Sequence, residues 1–327
     1  MRKLALLCCL SVCAARQNDA PVFRSQAPIV LFPIAVYDKA GQPVQTLSES
    51  DISVLDNGRP KPAHVDLIGS YRTKIALVIV VQTSAISQPA LLKIQKTGSL
   101  IEGYITGETG EAAVVAVDDD VHVLRPFTED GSLIRDTFRH LKPSGAEREA
   151  HTLDGVEEAL RLLSQRPPED RRLIVVISET RDRGSRTPFS QVLLDTQQSG
   201  ASIYTLSYSA YLTPFTTKAS EYVPAESGGL LLIATELARL AKRNIAEALA
   251  STSGGRHLSF ATVKALENDL VEVGKEVHHQ YLLSLTPDAD PQPAYHAVTI
   301  AIKDYPKATI RTRPGYWSVP LNQARSQ

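Results

Sequence analysis

Beyond its first 13 positions the 327-residue chain has no cysteine; Cys8, Cys9 and Cys13 are the full set. Once those residues are removed, no disulfide, no thiol nucleophile and no thiolate zinc site is available. A basic excess is missing too. Thirty-five Lys and Arg face 36 Asp and Glu, for a formal net charge of -1, so no nucleic-acid partner is expected. After the N-terminus no run is long and apolar enough for a transmembrane helix. There is no HExxH and no other zinc spacing. No G-x-S-x-G elbow presents a serine nucleophile. SGGRHLS holds a glycine pair but no phosphate loop; Gly254 and Gly255 read as a helix cap. What is present, 43% apolar and 22% charged residues, is the composition of a folding chain.

The first residues, MRKLALLCCLSVCAA, place Arg2 and Lys3 before an apolar run from Leu4 to Cys13 and then two alanines. That order is an export signal, too short to span a bilayer, with cleavage expected near Ala14 or Ala15. The protein is therefore expected to be secreted or periplasmic. LSVC is only a loose lipoprotein box, because Val12 is a poor residue before the cysteine. A lipid anchor at Cys13, holding the protein on a membrane surface, is the alternative.

The expected organisation is signal 1–15, polar leader 16–27, an antiparallel β-module 28–70, an α/β domain 71–286, terminal strands 287–317 and a polar tail 318–327. In the β-module, Ile29–Tyr37 is strand-like, Val44–Leu47 a short strand, and Asp56-Asn57-Gly58 the strongest turn signal. Asp38, Asp51 and Asp56 read as turn residues rather than a calcium cluster. In the α/β domain, Ile75–Val81, Ala112–Val117, Leu173–Ile177 and Ile203–Leu206 are apolar runs of the buried parallel-strand type. Helical stretches alternate with them: Pro89–Tyr104, Thr128–His140, Leu153–Leu163, Pro188–Ser199, Leu230–Leu249 and Val263–Gln280. This predicts a mostly parallel sheet with helices on both faces, and a ligand site outside the strands' carboxyl ends.

FPIAVYDKAGQPVQTLSESDISVLDNGRPKP, TKIALVIVVQTSAIS, LIVVISETRDRG and SGGRHLSFATVKALENDLVEVGKEVHHQYLLSLTPD followed by ATIRTRPGYW occur in this order. The succession resembles the bacterial von Willebrand factor A (VWFA)-related proteins abundant in acidobacteria, over almost the whole chain after the signal. The resemblance implies a VWA-type, Rossmann-like α/β fold. It also implies the position of a metal-ion-dependent adhesion site. That site uses D-x-S-x-S in a first loop, Thr in a second and Asp in a third. Here Gln82 stands at the aspartate, Ser84 matches the first serine and Ile86 replaces the second. Thr152 matches the threonine, and Glu179, or less comfortably Asp182, takes the third-loop acid. Mg²⁺ wants anionic oxygens in a near-octahedral shell, so these losses predict a degenerate, metal-free site. Gln82 both donates and accepts, and is expected to satisfy Glu179 or Ser84 without an ion.

The segment 207–229 is long for a connection and carries Tyr208, Tyr211, Phe215 and Tyr222. These four are the candidate partner-binding residues. No catalytic residue, cofactor or metal is expected. The function expected is an exported, non-catalytic protein-interaction or adhesion-type module. Its protein partner would be in the periplasm or cell envelope. An envelope enzyme or a structural envelope subunit is the alternative.

Overall fold

The computed structural model describes residues 29–67, 74–167, 169–208, 239–288 and 294–318. The segments expected as signal and leader, with Cys13, and most of the segment 207–229 lie outside them. The chain begins with β1 (Val30–Tyr37), β2 (Ile52–Asp56), β3 (Arg59–Pro60) and β4 (Ala63–Leu67). Asn57 at φ 49° and Gly58 at φ 78° make the β2–β3 turn. This left-handed pair is the one a tight hairpin requires. The segment expected as a strand at Val44–Leu47 makes only a bridge at Pro43 to Tyr37. Val44 is nevertheless buried, and its carbonyl accepts the Tyr281 hydroxyl at 3.0 Å.

The α/β unit follows with β5 (Ile75–Gln82), α1 (Gln88–Ile94), α2 (Gly98–Leu100), a π turn at Ile101–Thr106, β6 (Glu111–Val117) and β7 (Val121–Thr128). Next come α3 (Gly131–Arg139), α4 (Thr152–Ser164), β8 (Arg171–Ser178), α5 (Phe189–Ser199) and β9 (Ser202–Ser207). After the long loop the chain forms α6 (Ile245–Ser253), β10 (His257–Ser259) and α7 (Val263–His278). It ends in β11 (Tyr281–Leu285), β12 (Tyr295–Ile302), β13 (Thr309–Arg311) and β14 (Gly315–Trp317).

Six strands make the central sheet in the order β10-β9-β8-β5-β6-β7, parallel except for the β6–β7 pair. This is the mixed α/β architecture expected. Every residue of β5 is buried, and the period of two sorts its side chains. Leu77, Ile79 and Val81 join Leu91, Ile94, Phe138, Leu270 and Val277 on one face. Ala76, Val78 and Val80 join Val156, Leu160, Leu163, Val192 and Leu249 on the other. Each fully buried aliphatic side chain contributes about 1.5–3 kcal/mol.

On that second face α4 runs close to the sheet. A Cβ on Gly155 would stand 2.3 Å from Val117 Cγ1 and 2.9 Å from Val80 Cγ1. Gly155→Ala is therefore expected to lower unfolding free energy by about 1–3 kcal/mol, despite the better helix propensity of alanine. Urea denaturation measures it; an unchanged or raised midpoint would mean α4 can lift off the strands at no cost.

Three helices differ from the sequence reading. The single helix expected over Pro89–Tyr104 is broken, with the Thr97 hydroxyl donating to the Ile94 carbonyl at 2.9 Å. The helix expected from Thr128 starts at Gly131, because Asp130 caps it by accepting the Ser132 N–H at 2.8 Å, while Thr128 ends β7. Of the helix expected over Leu230–Leu249, only the end from 239 is described. It is interrupted at Asn244, whose side chain accepts the Glu247 N–H and caps α6.

The β-module proves larger than residues 28–70. Its two antiparallel sheets have the orders β13-β1-β11-β4 and β14-β12-β2-β3. The strand Tyr281–Leu285, assigned from sequence to the α/β domain, lies between β1 and β4. Both chain ends thus build one antiparallel double sheet with its own core of Phe32, Ile34, Val36, Val54, Leu283, Val298 and Tyr316. The α/β unit is an insertion within it.

Candidate functional site

The chain leaves β5 for β6 on one side and later adds β8 on the other. The carboxyl ends of β5 and β8 therefore flank the point where strand order reverses, the usual crevice of an open α/β sheet. Gln82, the last residue of β5, is fully buried there. Its Nε2 donates to Ser84 Oγ at 2.8 Å, and its Oε1 accepts the main-chain N–H of Glu179 at 2.9 Å. One amide thus bridges the first and third loops. The bond to Glu179 is made by the backbone and leaves the carboxylate to another partner. Arg183 Nη1 lies 3.1 Å from Glu179 Oε2, a charge contact not lined up as a hydrogen bond. Ser84 is fully buried, with its Oγ 3.4 Å from Ser87 Oγ.

The second loop is tied in by main-chain bonds. Ala150 and Arg183 exchange N–H···O contacts at 3.0 and 2.9 Å, and the His151 N–H donates to the Asp118 carbonyl at 3.0 Å. Thr152 is fully buried, and its hydroxyl donates to the Ala150 carbonyl at 3.4 Å. Ser144 N–H donates to the Thr83 carbonyl at 2.7 Å, and Ala85 and Ile86 N–H groups donate to the Ala146 and Glu147 carbonyls. Ile86 itself is half-buried. These bonds bring the loops that carry Gln82, Ser84, Ile86, Thr152 and Glu179 together at one rim of the sheet.

The remaining acids near the rim are also engaged. Asp182 Oδ1 accepts the Leu153 N–H at 3.0 Å and the Ser185 hydroxyl at 2.6 Å. It thereby supplies negative charge to the amino end of α4. Asp154 accepts the Arg186 N–H at 3.0 Å and the Thr187 N–H at 2.8 Å. Burial opposes its ionisation most strongly, but these two amides outweigh burial and hold the carboxyl below its ordinary range. Asp118 closes β6 nearly buried and accepts the Asp120 N–H at 3.0 Å and the Thr83 hydroxyl at 3.3 Å. Burial again works against its charge, and hydrogen bonding led by the Asp120 amide brings the carboxyl down. Asp118 is not among the site residues expected from the sequence. Its place at the carboxyl end of a core strand was the available signal.

The donor set does not suit a hard divalent cation. Gln82 offers a neutral oxygen already committed to an N–H, Ile86 offers none, and the Glu179 carboxylate faces a guanidinium. Among the described residues no group of three or more His, Cys, Asp or Glu side chains is arranged to hold a metal ion. Nor does a hydrogen bond among them join His151 to Ser84 or Glu179; His151 Nδ1 lies 3.6 Å from Asp154 Oδ2 instead. Of the aromatic candidates, Tyr208 is a correction. It is 6% exposed and packs on Phe260 with ring centroids 5.7 Å apart, in the core shared by α1 and α7. Its main-chain N–H reaches the Ser178 carbonyl at 3.3 Å. Tyr211, Phe215 and Tyr222 lie outside the described residues.

No family model matches the chain, and no curated protein matches it. Among solved structures it is similar to a von Willebrand factor type A protein from Catenulispora acidiphila, at 11% identity over 92% of this chain and 76% of that one, with a TM-score of 0.45. An aerotolerance-related membrane protein from Bacteroides fragilis is 15% identical over 62% of this chain and 98% of that one, with a TM-score of 0.43. The vWF domain of the type V pili tip protein Mfa5 from Porphyromonas gingivalis is 14% identical over 63% of this chain and 95% of that one, with a TM-score of 0.40.

Proposed function

We propose that the chain is an exported, non-catalytic protein-interaction module of the adhesion type, whose sheet rim works without a metal ion. The observation that supports this best is the Gln82 amide, which joins Ser84 to the Glu179 main chain across the crevice. In that reading the amide does the job of a bridging cation and holds the loops as a fixed platform. The platform presents the exposed charged residues Glu147, Arg148, Glu149, Arg181 and Arg186 to a protein in the periplasm or cell envelope. Export rests on Arg2, Lys3 and the apolar run after them, with a lipid on Cys13 as the variant that would tether the module to a membrane. No helix of the described residues is long and apolar enough to cross a membrane.

Calorimetric titration of the purified chain with Mg²⁺, Mn²⁺ and Ca²⁺ is expected to be flat into the millimolar range. Capture of a partner from an envelope extract should be equal in EDTA and in Mg²⁺, and should weaken when Arg148 and Arg181 are changed together to Glu. Micromolar cation binding that disappears in Glu179→Ala, or capture abolished by EDTA, would overturn the proposal.

A further inference from the structure

Between the end of α1 and the outer side of α3 lies a groove of about 370 Å³ lined by Gln95, Lys96, Gly98, Ser99, Arg135 and Arg139. Three of its six lining residues are cations and none is an acid. Arg135 and Arg139 are four apart on α3 and stand on one stripe of the helix. Lys96 faces them from the chain between α1 and α2. The floor depends on a close approach: a Cβ on Gly98 would come within 2.9 Å of Phe138 Cβ and 3.0 Å of Arg135 Cα. Gln95 is held in place by its Nε2, which donates to the Leu141 carbonyl at 2.8 Å.

The charges are poorly compensated. Among the described residues only Glu102, on the π turn, reaches the group, with Oε2 at 3.4 Å from Arg135 Nη1 and both side chains substantially exposed. Among the described residues no carboxylate lies within ion-pair distance of Lys96 or Arg139. Asp136, adjacent to Arg135 in sequence, is exposed, with Oδ1 3.3 Å from His140 Nδ1. Arg135, Arg139 and Lys96 thus line the groove together with Ser99, and among the described residues Glu102 is the one loose counter-charge. That arrangement matches an oxyanion carrying more than one negative charge, since planar forks recognise its oxygens in pairs. The volume suits a small molecule or a headgroup.

We propose that this groove binds a phosphoryl group, carried by a small phosphate ester or by a lipid headgroup, independently of the sheet rim. The test uses the full chain. Its melting temperature is followed against inorganic phosphate and glycerol phosphate, with chloride at matched ionic strength as reference. A second arm measures flotation with phosphatidylcholine vesicles with and without phosphatidic acid.

A saturable phosphate-dependent rise, half-complete at or below about 10 mM, is expected. Affinity should weaken about tenfold or more in Lys96→Gln/Arg139→Gln, two exposed positions whose replacement leaves the ligand-free melting temperature unchanged. Glu102→Gln, which removes the carboxylate beside Arg135, should tighten phosphate binding and serves if the double variant folds poorly. Response to phosphatidic acid vesicles alone assigns the headgroup; response to the soluble esters assigns a free ligand. An unsaturable response equal to that of chloride together with no flotation specific to phosphatidic acid, or unchanged affinity in both variants, would sink the proposal.

Discussion

Changing Glu276 to alanine is expected to lower unfolding free energy by about 3–5 kcal/mol, the usual cost of breaking a buried charge network by removing one partner. Glu276, on α7, is 3% exposed. Its Oε2 accepts from Tyr37 OH at 3.0 Å and from Arg311 Nη1 at 2.8 Å, its Oε1 accepts from Tyr204 OH at 3.2 Å, and Arg256 Nη1 stands 3.4 Å away. Tyr37 and Arg311 belong to the double sheet; Tyr204 and Arg256 belong to the α/β unit. One carboxylate therefore clamps the insertion to the module that surrounds it. Burial first, and the Glu276 charge after it, push the Tyr37 and Tyr204 phenols up, so both stay protonated and donate. The network continues through Gln280, whose Nε2 donates to Tyr204 OH at 2.9 Å and whose Oε1 accepts from Arg171. Burial brings that guanidinium down to about 10. Glu276→Gln should cost less, because an amide keeps the shape and accepts hydrogen bonds but loses the charge assistance. Calorimetric and urea unfolding of both variants, with an Arg311→Ala double-mutant cycle, separate the charge from the shape. A loss below about 1 kcal/mol for the alanine variant would mean the two units are held by apolar contact alone.

No spacing in the sequence announces that clamp. Tyr37, Tyr204, Arg256, Glu276 and Arg311 are gathered from strands and a helix far apart in the chain, and only tertiary pairing brings them together. The same limit hid the double sheet. The run Ile75–Val81 declares a buried strand by itself, as does Leu173–Ile177, because burial on both faces demands an unbroken apolar run. By contrast, Val30–Ile34 pairs with Tyr281–Leu285, and nothing local to either strand specifies a partner about 250 residues away. Asp56 shows how a local signal can be right and incomplete. It does precede the Asn57-Gly58 turn. Yet β12 pairs with β2 so that Val298 opposes it, and Asp56 ends 4% exposed beneath His296 and Tyr316. The Tyr316 hydroxyl donates to its Oδ2 at 2.7 Å, and His296 Nδ1 lies 2.8 Å from its Oδ1. By contrast Asp38 and Asp51 are ordinary turn acids, accepting from Ala40, Gln42 and Ser48 main-chain N–H groups.

The rim was more legible, because its residues sit at the ends of strands that the apolar pattern already placed. That Gln82 stands where a carboxylate would be was implied by the resemblance alone. Its capacity to donate and accept at once suggested a self-contained crevice. What sequence did not reveal was that its acceptor oxygen meets the Glu179 backbone while Arg183 takes the Glu179 carboxylate.

That geometry makes Gln82 the rim residue with the largest expected effect. Gln82→Leu nearly preserves volume and leaves two polar groups in a dry crevice, the Glu179 N–H without its acceptor and Ser84 Oγ without its donor. Each unpaired buried group costs about 1–3 kcal/mol, so a loss of about 2–5 kcal/mol is expected, offset in part by the added apolar burial. Gln82→Asp probes the same point differently. A carboxylate still accepts from the Glu179 N–H, but it cannot donate to Ser84 when ionised, and it adds a second negative charge beside the Glu179 carboxylate. Without divalent cation this variant should be less stable than the parent above the carboxylate range, and should recover part of the loss as the pH falls and the new acid takes up a proton. Urea midpoints at neutral pH and near pH 5, in EDTA throughout, distinguish the two costs. If Gln82→Leu unfolds at the parental midpoint, the amide is a bystander and the loops are held by their main-chain bonds alone. If Gln82→Asp is as stable as the parent at neutral pH in EDTA, the crevice tolerates an anion without a cation. The acid-to-amide exchange would then carry no physical consequence for metal binding.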